Sequence, residues 1–184
     1  MKTGTQAKLC DRPLLAGRDA HFSRLGRLFD GETLDRVMAI SGITSDPSPA
    51  AYEDPEAWTH QALDQLAGQA AALADPLVFR PLVLSVGCCG PFGVHFIDRM
   101  LGAEVFELRG ERDNWQAHVL DQPVGRLQAP DLERDPTWRL ARQLADAFIK
   151  AEVTVPLFSM PCIASVLNIA MNLYGQELLL AMMT

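Results

Sequence analysis

The residues best suited to chemistry lie together in the segment SVGCCGPFGVH, residues 85–95. Cys88 and Cys89 are adjacent, a glycine stands on each side of the pair, and His95 follows six residues after Cys89. A thiolate is both a nucleophile and a metal ligand, and a histidine is the base that commonly activates one. The segment is therefore open to four interpretations: a metal site, a redox pair, a nucleophile with its base, or a loop of small residues that lines a pocket.

The spacing of the two cysteines favours the pocket loop. Zinc ligands usually come as Cys-x-x-Cys together with a second pair, and no second cluster follows here. Adjacent cysteines point in different directions on an extended chain, and a disulfide between them would be strained. We predict that Cys88 and Cys89 stay reduced and bind no structural metal. A reactive thiol with His95 as its base is the alternative, and a partly buried, hydrogen-bonded histidine is the simplest interpretation of His95.

Further polar residues stand where predicted strands and helices meet. The residues around Phe92 lead into a helix N-terminus, which can hold an anion, but they lack the glycine patterns of phosphate loops, so a plain turn is favoured. Asn168 and Asn172 are polar positions in an apolar helix and either bond to the backbone or face a pocket. No catalytic residue is assigned. The predicted ligand-binding residues are Ser41, Cys88, Cys89, Phe92, His95, Ser159, Cys162 and Asn168.

The elements that position these residues alternate between apolar strands and amphipathic helices. Continuous apolar runs of this kind are typical of parallel strands that are covered on both faces, so we predict an α/β fold with neighbouring parallel strands. The predicted strands are 36–41, 81–87, 103–108 and 153–160, and two shorter strands are expected around a turn within 117–128. Ligands of such folds bind at the carboxyl ends of the strands. The predicted pocket therefore comprises the loops 41–48, 87–93, 108–115 and 159–163.

Helix boundaries follow from caps and breakers. Asp19 is the predicted N-cap of the first helix and Gly31 its end. Asp54 and Asp135, each followed by proline, predict two further helix starts, and Gly175 predicts a helix end. Helical spacing also predicts two buried faces, which are Phe22, Leu25, Leu28 and Phe29 in the first helix, and Trp58, Ala62, Leu66, Ala70 and Leu73 in the second.

Composition excludes some classes of protein. The 184 residues are 48% hydrophobic with a formal charge of −7, which suits one folded domain. The basic residues form no cluster, so no nucleic-acid partner is expected. No apolar run reaches the about 18 residues that a membrane span requires, and the N-terminus lacks the apolar centre of a secretory signal. We expect a cytoplasmic protein with reduced cysteines and no membrane partner.

Several segments, in this order, resemble the uroporphyrinogen decarboxylase superfamily, which includes the tetrapyrrole decarboxylase and corrinoid-linked methyltransferases. They are RLGRLFDGETLDRV (24–37), LGAEVFEL (101–108), DLERDP (131–136) and the block 155–184. The resemblance implies the N-terminal half of a TIM-type (β/α)8 barrel, about four βα units, after an N-terminal extension at 1–19. It implies an enzyme acting on a tetrapyrrole, a corrinoid-linked methyl group or another small organic ligand. The alternative is a non-catalytic ligand-binding or partner subunit.

Three positions depart from the family's decarboxylases. The region after the first strand has no arginine between residues 38 and 49, Val86 stands where the family carries an aspartate, and Leu167 stands where it carries a tyrosine. Valine cannot replace a carboxylate poised for proton transfer, so we predict that the protein does not decarboxylate uroporphyrinogen. No cofactor is evident in this chain, and the resemblance implies that corrinoid or zinc would need the second half of the barrel. An open half-barrel is expected to self-associate or to bind a partner that completes it.

Overall fold

A computed structural model describes residues 4–34, 38–45, 47, 51, 53–74, 78–86, 93–108, 115–159 and 163–183. The described residues contain both helices and strands, in agreement with the predicted α/β class. The chain divides into two compact units, the first formed by residues 1–85 and 145–159 and the second by residues 86–144 and 160–184.

The helices and strands are as follows, in chain order. The helices are α1 (Gly4–Lys8), α2 (Arg12–Phe29), α3 (Pro55–Gln69), α4 (Phe96–Met100), α5 (Pro136–Lys150), α6 (Val166–Tyr174) and α7 (Gln176–Met182). The strands are β1 (Ala39–Ile40), β2 (Ile43–Thr44), β3 (Val78–Phe79), β4 (Leu82–Ser85), β5 (Val105–Glu107), β6 (Trp115–Ala117) and β7 (Leu157–Ser159). No helix among the described residues is long and apolar enough to cross a membrane.

The strands of the first unit are parallel, as predicted for three of the four strand segments. Strand β1 pairs with β3, and β4 pairs with β2 on one side and with β7 on the other. The pairing of β1 with β3 continues into that of β2 with β4. The N–H of Ser41 donates to the carbonyl of Phe79, and the N–H of Ile43 donates to that of Pro81. In the sheet β2–β4–β7 the strands lie in chain order, and the connections between neighbouring strands contain helices.

The prediction for residues 103–108 is wrong in strand direction. Strand β5 forms an antiparallel pair with β6 in the second unit, with Val105 opposite Ala117 and Glu107 opposite Trp115. The short connection between them explains the difference, since an antiparallel pair can close through a short loop whereas a parallel pair needs a long crossover. The two strands expected within 117–128 are also not present beyond the end of β6. The N–H of Leu120 donates instead to the carbonyl of Leu173.

The start of α2 differs from the prediction as well. Asp11 is the N-cap and accepts from the N–H of Leu14, with a proline in the first turn. Asp19 lies inside the helix and accepts from Arg18. The proline in the first turn explains why the helix starts after Asp11 and not after Asp19, because proline is favoured in a first helical turn. Gly31, with φ 84°, follows the end of the helix as predicted.

The apolar face predicted for α2 stays largely outside the core. The helix contains no fully buried residue, and Phe29 is 81% exposed. Phe22 nevertheless contacts Phe79 edge-to-face, with ring centroids 5.0 Å apart.

The core of the first unit is the apolar stripe of α3. Asp54 caps the helix by accepting from the N–H groups of Glu56 and Ala57, which confirms the predicted start. The predicted stripe is buried along its whole length, through the 3-10 turn that follows α3: Trp58, Ala62, Leu66, Ala70 and Leu73. Burying a large side chain of this kind contributes about 1.5–3 kcal/mol.

The described part of the predicted N-terminal extension 1–19 contains α1 and the first turns of α2 and is tied to the rest of the first unit. Leu9 is fully buried, and its carbonyl accepts from the N–H groups of Thr154 and Val155. The guanidinium of Arg18 donates in turn to the carbonyls of the same two residues, at 2.7 and 2.9 Å. The segment that precedes β7 is thus held by a backbone carbonyl of the turn after α1 and by a side chain of α2.

The second unit packs around two small apolar clusters. In the first, Phe96 and Met100 of α4 meet Ala141 of α5. In the second, Ala103 meets Leu173 and Tyr174 of α6. The predicted start of α5 and the predicted end of α6 are confirmed: Asp135 accepts from the N–H of Trp138 at the start of α5, and Gly175, with φ 55°, follows α6.

Candidate functional site

Serine hydroxyls mark the carboxyl ends of the three parallel strands in the first unit. Ser85 ends β4 directly opposite Ser159 at the end of β7. Ser45 follows β2, whose last residue Thr44 pairs with Val83 of the same central strand. Ser45 and Ser85 are buried and Ser159 is half-buried. Because ligands of parallel α/β sheets bind at this edge, the three hydroxyls form a candidate binding edge.

Ser45 is the least satisfied of these groups. Its side chain is 2% exposed, and its Oγ has no hydrogen-bond partner among the residues that the structure describes. Buried hydroxyls are normally paired, so an unpaired one at a strand end needs an explanation. A hydrogen bond to a bound molecule would supply one.

The other predicted residue of this region, Ser41, is placed differently. It lies between β1 and β2, its side chain is exposed, and its N–H belongs to the sheet through the carbonyl of Phe79. It therefore follows β1 in a continuous run of strand and does not stand beside Ser85 and Ser159 at the edge.

A buried polar cluster in the second unit contains His95. Residues Gly93–His95 form a 3-10 turn that leads into α4, so that His95 and Asp98 lie one turn apart on the same face. His95 Nδ1 is 2.6 Å from Asp98 Oδ2, and Asp98 is fully buried. Asn172 of α6 donates from Nδ2 to the same oxygen at 2.7 Å and lies 3.3 Å from His95 Nδ1.

The geometry indicates where the ring proton lies. Two donors converging on Asp98 Oδ2 fit an ionised carboxylate, which only accepts hydrogen bonds. The 2.6 Å contact then requires the proton on His95 Nδ1. In a neutral imidazole the other nitrogen, Nε2, carries the lone pair, and it has no hydrogen-bond partner among the described residues.

The second carboxylate oxygen of Asp98, Oδ1, is buried without a hydrogen bond from the described residues. Phe96 and Met100 on the same helix are buried apolar residues. Leaving a buried acceptor unpaired costs about 1–3 kcal/mol, more for a charged group. Within the described residues, the hydrogen bonds to Asp98 are therefore confined to Oδ2, which accepts from His95 and Asn172.

A glycine allows the turn before His95. Gly93 has φ +49°, and a Cβ placed on it would lie 3.3 Å from Cδ1 of Trp115 in β6. A side chain would thus meet both an unfavourable backbone conformation and the indole ring. Glycine at this position lets the chain pass Trp115 and enter α4 with His95 facing Asp98.

The structure separates the two asparagines of α6. Asn168 is exposed and its N–H donates to Ser165, the N-cap of the helix, whereas Asn172, one turn later, reaches His95. Asp98 is absent from the predicted residues. The signal for it was the His-x-x-Asp spacing at the start of a helix. Four predicted residues lie outside the described residues: Cys88, Cys89, Phe92 and Cys162.

A second histidine–carboxylate pair of the same unit provides a contrast. His118 Nδ1 is 3.1 Å from Glu104 Oε2, and both side chains are largely exposed. Exposed pairs of this kind contribute little, because water and salt screen them. Elsewhere in the described ranges, no group of three His, Cys, Asp or Glu side chains could hold a metal ion.

Comparison with known proteins found no matching family model, no matching curated protein and no matching solved structure. The resemblance to the uroporphyrinogen decarboxylase superfamily therefore stays a prediction from the sequence.

Proposed function

We propose that the chain is a uroporphyrinogen decarboxylase-like domain, the N-terminal half of a (β/α)8 barrel, and an enzyme that acts on a small organic ligand at its strand ends. The ligand class is a tetrapyrrole, a corrinoid-linked methyl group or a similar small molecule. The observation that supports this most is the sheet β2–β4–β7, in which parallel neighbours lie in chain order and a serine stands at the carboxyl end of each strand. Parallel neighbours in chain order are also the arrangement of a barrel, and barrels bind ligands at that edge.

The polar groups at this edge favour a ligand other than uroporphyrinogen. Hydroxyls donate and accept hydrogen bonds but carry no charge, whereas a substrate with many carboxylates needs cationic side chains. Residues 38–49 include no arginine, and Val86, at the position of the family's aspartate, is a buried apolar residue.

Ligand binding tests the proposal directly. The three tryptophans of the full chain report binding by fluorescence quenching on titration with uroporphyrin, coproporphyrin or hydroxocobalamin. The Ser45→Ala variant should bind the quenching ligand about fivefold more weakly, because one neutral hydrogen bond is worth about 1 kcal/mol. Ser23→Ala, which removes an exposed hydroxyl of α2, is the matched control. If none of the three compounds gives saturable quenching, or if Ser45→Ala binds as well as Ser23→Ala, the proposal is wrong.

Turnover of uroporphyrinogen is a separate measurement. Incubation followed by chromatography should yield no coproporphyrinogen at an enzymatic rate, because the cationic and carboxylate groups of the family's decarboxylases have no counterpart here. Coproporphyrinogen formed at such a rate would contradict this prediction while leaving the ligand class intact.

A partner subunit is the second candidate, and the surface of α6 and α7 favours it. Large apolar side chains are exposed along both helices: Val166, Leu167, Leu179, Leu180 and Met182. Several large apolar side chains exposed on two successive helices favour an interaction site. Light scattering of the purified chain should show a mass that rises with concentration, and Val166→Glu together with Leu180→Glu should lower it. A monomer at all concentrations would argue against this candidate.

A further inference from the structure

We propose that His95 is a proton-transfer residue and that Asp98 and Asn172 are its positioning residues. The proposed site lies within the second unit and is separate from the strand-end site of the proposed function. The proton is exchanged with a small molecule that presents an acidic N–H or O–H group to His95.

Three observations carry the proposal. Asp98 Oδ2 fixes His95 through Nδ1 at 2.6 Å, and Asn172 Nδ2 fixes the carboxylate through the same oxygen at 2.7 Å. The ring therefore presents Nε2 as the acceptor, and that atom has no hydrogen-bond partner among the described residues. Asp98 is fully buried, and its Oδ1 has no hydrogen-bond partner within the described chain.

The proton step follows from this arrangement. A ligand N–H or O–H bond breaks, its proton joins Nε2, and the bonding electron pair stays on the ligand heteroatom. The imidazolium that forms is stabilised by the Asp98 carboxylate through the Nδ1 hydrogen bond. A buried carboxylate interacts more strongly with that charge than an exposed one, because the local dielectric constant is lower. Return of the proton from Nε2 to the ligand heteroatom, or to a product atom, restores the neutral ring.

The His118–Glu104 pair is the internal control, because it has the same chemistry without burial. Its histidine side chain is 60% exposed, against 10% for His95. If His95 only stabilised the fold, its reaction with a small reagent would fall below that of His118 in proportion to exposure. If Asp98 activates Nε2, His95 should react at least as fast.

Diethyl pyrocarbonate measures this reactivity in the full chain without any ligand. An unprotonated imidazole nitrogen attacks one carbonyl carbon of the reagent and forms a carbethoxy-imidazole. The leaving ethyl carbonate decomposes to ethanol and carbon dioxide. Peptide mass spectrometry then gives the modification rate of each histidine. We expect His95 to be modified at Nε2 at least as fast as His118, and slower modification of His95 would overturn the proposal.

The Asp98→Asn variant tests the positioning role. An amide can donate to Nδ1 and so move the ring proton to Nε2, which removes the nucleophilic lone pair. The rate at His95 should fall about tenfold or more while that at His118 stays unchanged. An unchanged rate at His95 in the folded variant would show that Asp98 does not position the ring.

Two measurements do not depend on the folding of Asp98→Asn. In ¹⁵N–¹H spectra of the unmodified chain, the neutral His95 ring should carry its proton on Nδ1, and a proton on Nε2 would overturn the proposal. Asn172→Leu removes the donor that fixes the Asp98 carboxylate, so the rate at His95 should fall severalfold while that at His118 stays unchanged, and an unchanged rate at His95 would show that Asn172 does not position the ring. Since none of these readouts uses a ligand, their failure is distinguishable from failure of the ligand-binding titration.

Discussion

The interior of each unit is stabilised by a different kind of interaction. In the first unit the central element is α3, where Trp58, Ala62 and Leu66 are completely buried on one helical face. In the second unit the short helix α4 buries Asp98 as completely as its apolar neighbours, and a polar cluster of three side chains joins α4 to α6. The first arrangement relies on apolar burial, which does not depend on the direction of individual contacts. The second combines two small apolar clusters with buried hydrogen bonds, whose geometry leaves little room for substitution.

The largest effect should come from the apolar stripe. Leu66→Ala removes a fully buried side chain from α3 and leaves a cavity, and we expect the free energy of unfolding to fall by about 2–5 kcal/mol. Denaturant unfolding followed by circular dichroism measures the change. The control is Leu28→Ala in α2, where the leucine is 45% exposed and the loss should stay within about 0.5 kcal/mol. Equal losses in the two variants would mean that α3 is not the core of the first unit.

The second prediction concerns the polar cluster. Asp98→Ala leaves the donors of His95 and Asn172 without their acceptor, but it also removes the unpaired Oδ1. The net loss of stability should be about 2 kcal/mol. Glu104→Ala breaks the exposed pair with His118 and should cost at most about 0.5 kcal/mol. The difference between the two variants, measured by denaturant unfolding, isolates the contribution of burial, and similar losses would remove the contrast between the two pairs.

The contrast also explains what could be predicted from the sequence. The start and the buried face of α3 depend on residues within a few turns of one another, and Asp54, Pro55 and the stripe from Trp58 onward were sufficient to predict both. Parallel pairing of β4 with β7 followed from the alternation of apolar strands and helices. The class of fold was therefore accessible, whereas a closed barrel depends on pairings beyond the described sheet β2–β4–β7.

Features that depend on distant contacts were not accessible in the same way. Asp98 and Asn172 are 74 positions apart, and no local pattern links an aspartate in FIDRM to that asparagine. The direction of β5 depends on its pairing with β6, which a run of apolar residues does not encode. Asp11 and Asp19 are both chemically suitable N-caps, and the proline after Asp11 was the deciding local signal that the prediction did not use.

A glycine in each unit gives the third test. Gly93→Ala places a Cβ at φ +49° and 3.3 Å from Trp115, so we expect a loss of about 1–2 kcal/mol. Gly26 lies inside α2 with no atom within 4 Å of an added Cβ, and Gly26→Ala should stabilise the chain by up to about 1 kcal/mol. Thermal unfolding of both variants checks the opposite signs. A stabilised Gly93→Ala variant would show that the turn before His95 does not require glycine.

The smallest effects should come from the helix caps, which compare a charged cap in the first unit with a neutral one in the second. Asp54 satisfies two N–H groups of α3, those of Glu56 and Ala57, and its negative charge lies at the positive end of the helix dipole. Ser165 satisfies one N–H group of α6, that of Asn168, through a neutral hydroxyl. Asp54→Ala should therefore cost about 1 kcal/mol and Ser165→Ala about 0.5 kcal/mol. Raising the salt concentration should reduce the first loss, since it screens the charge, and leave the second unchanged. Denaturant unfolding at low and high salt measures both. A loss at Asp54 that does not depend on salt would mean that its cap acts through hydrogen bonds alone, as in the second unit.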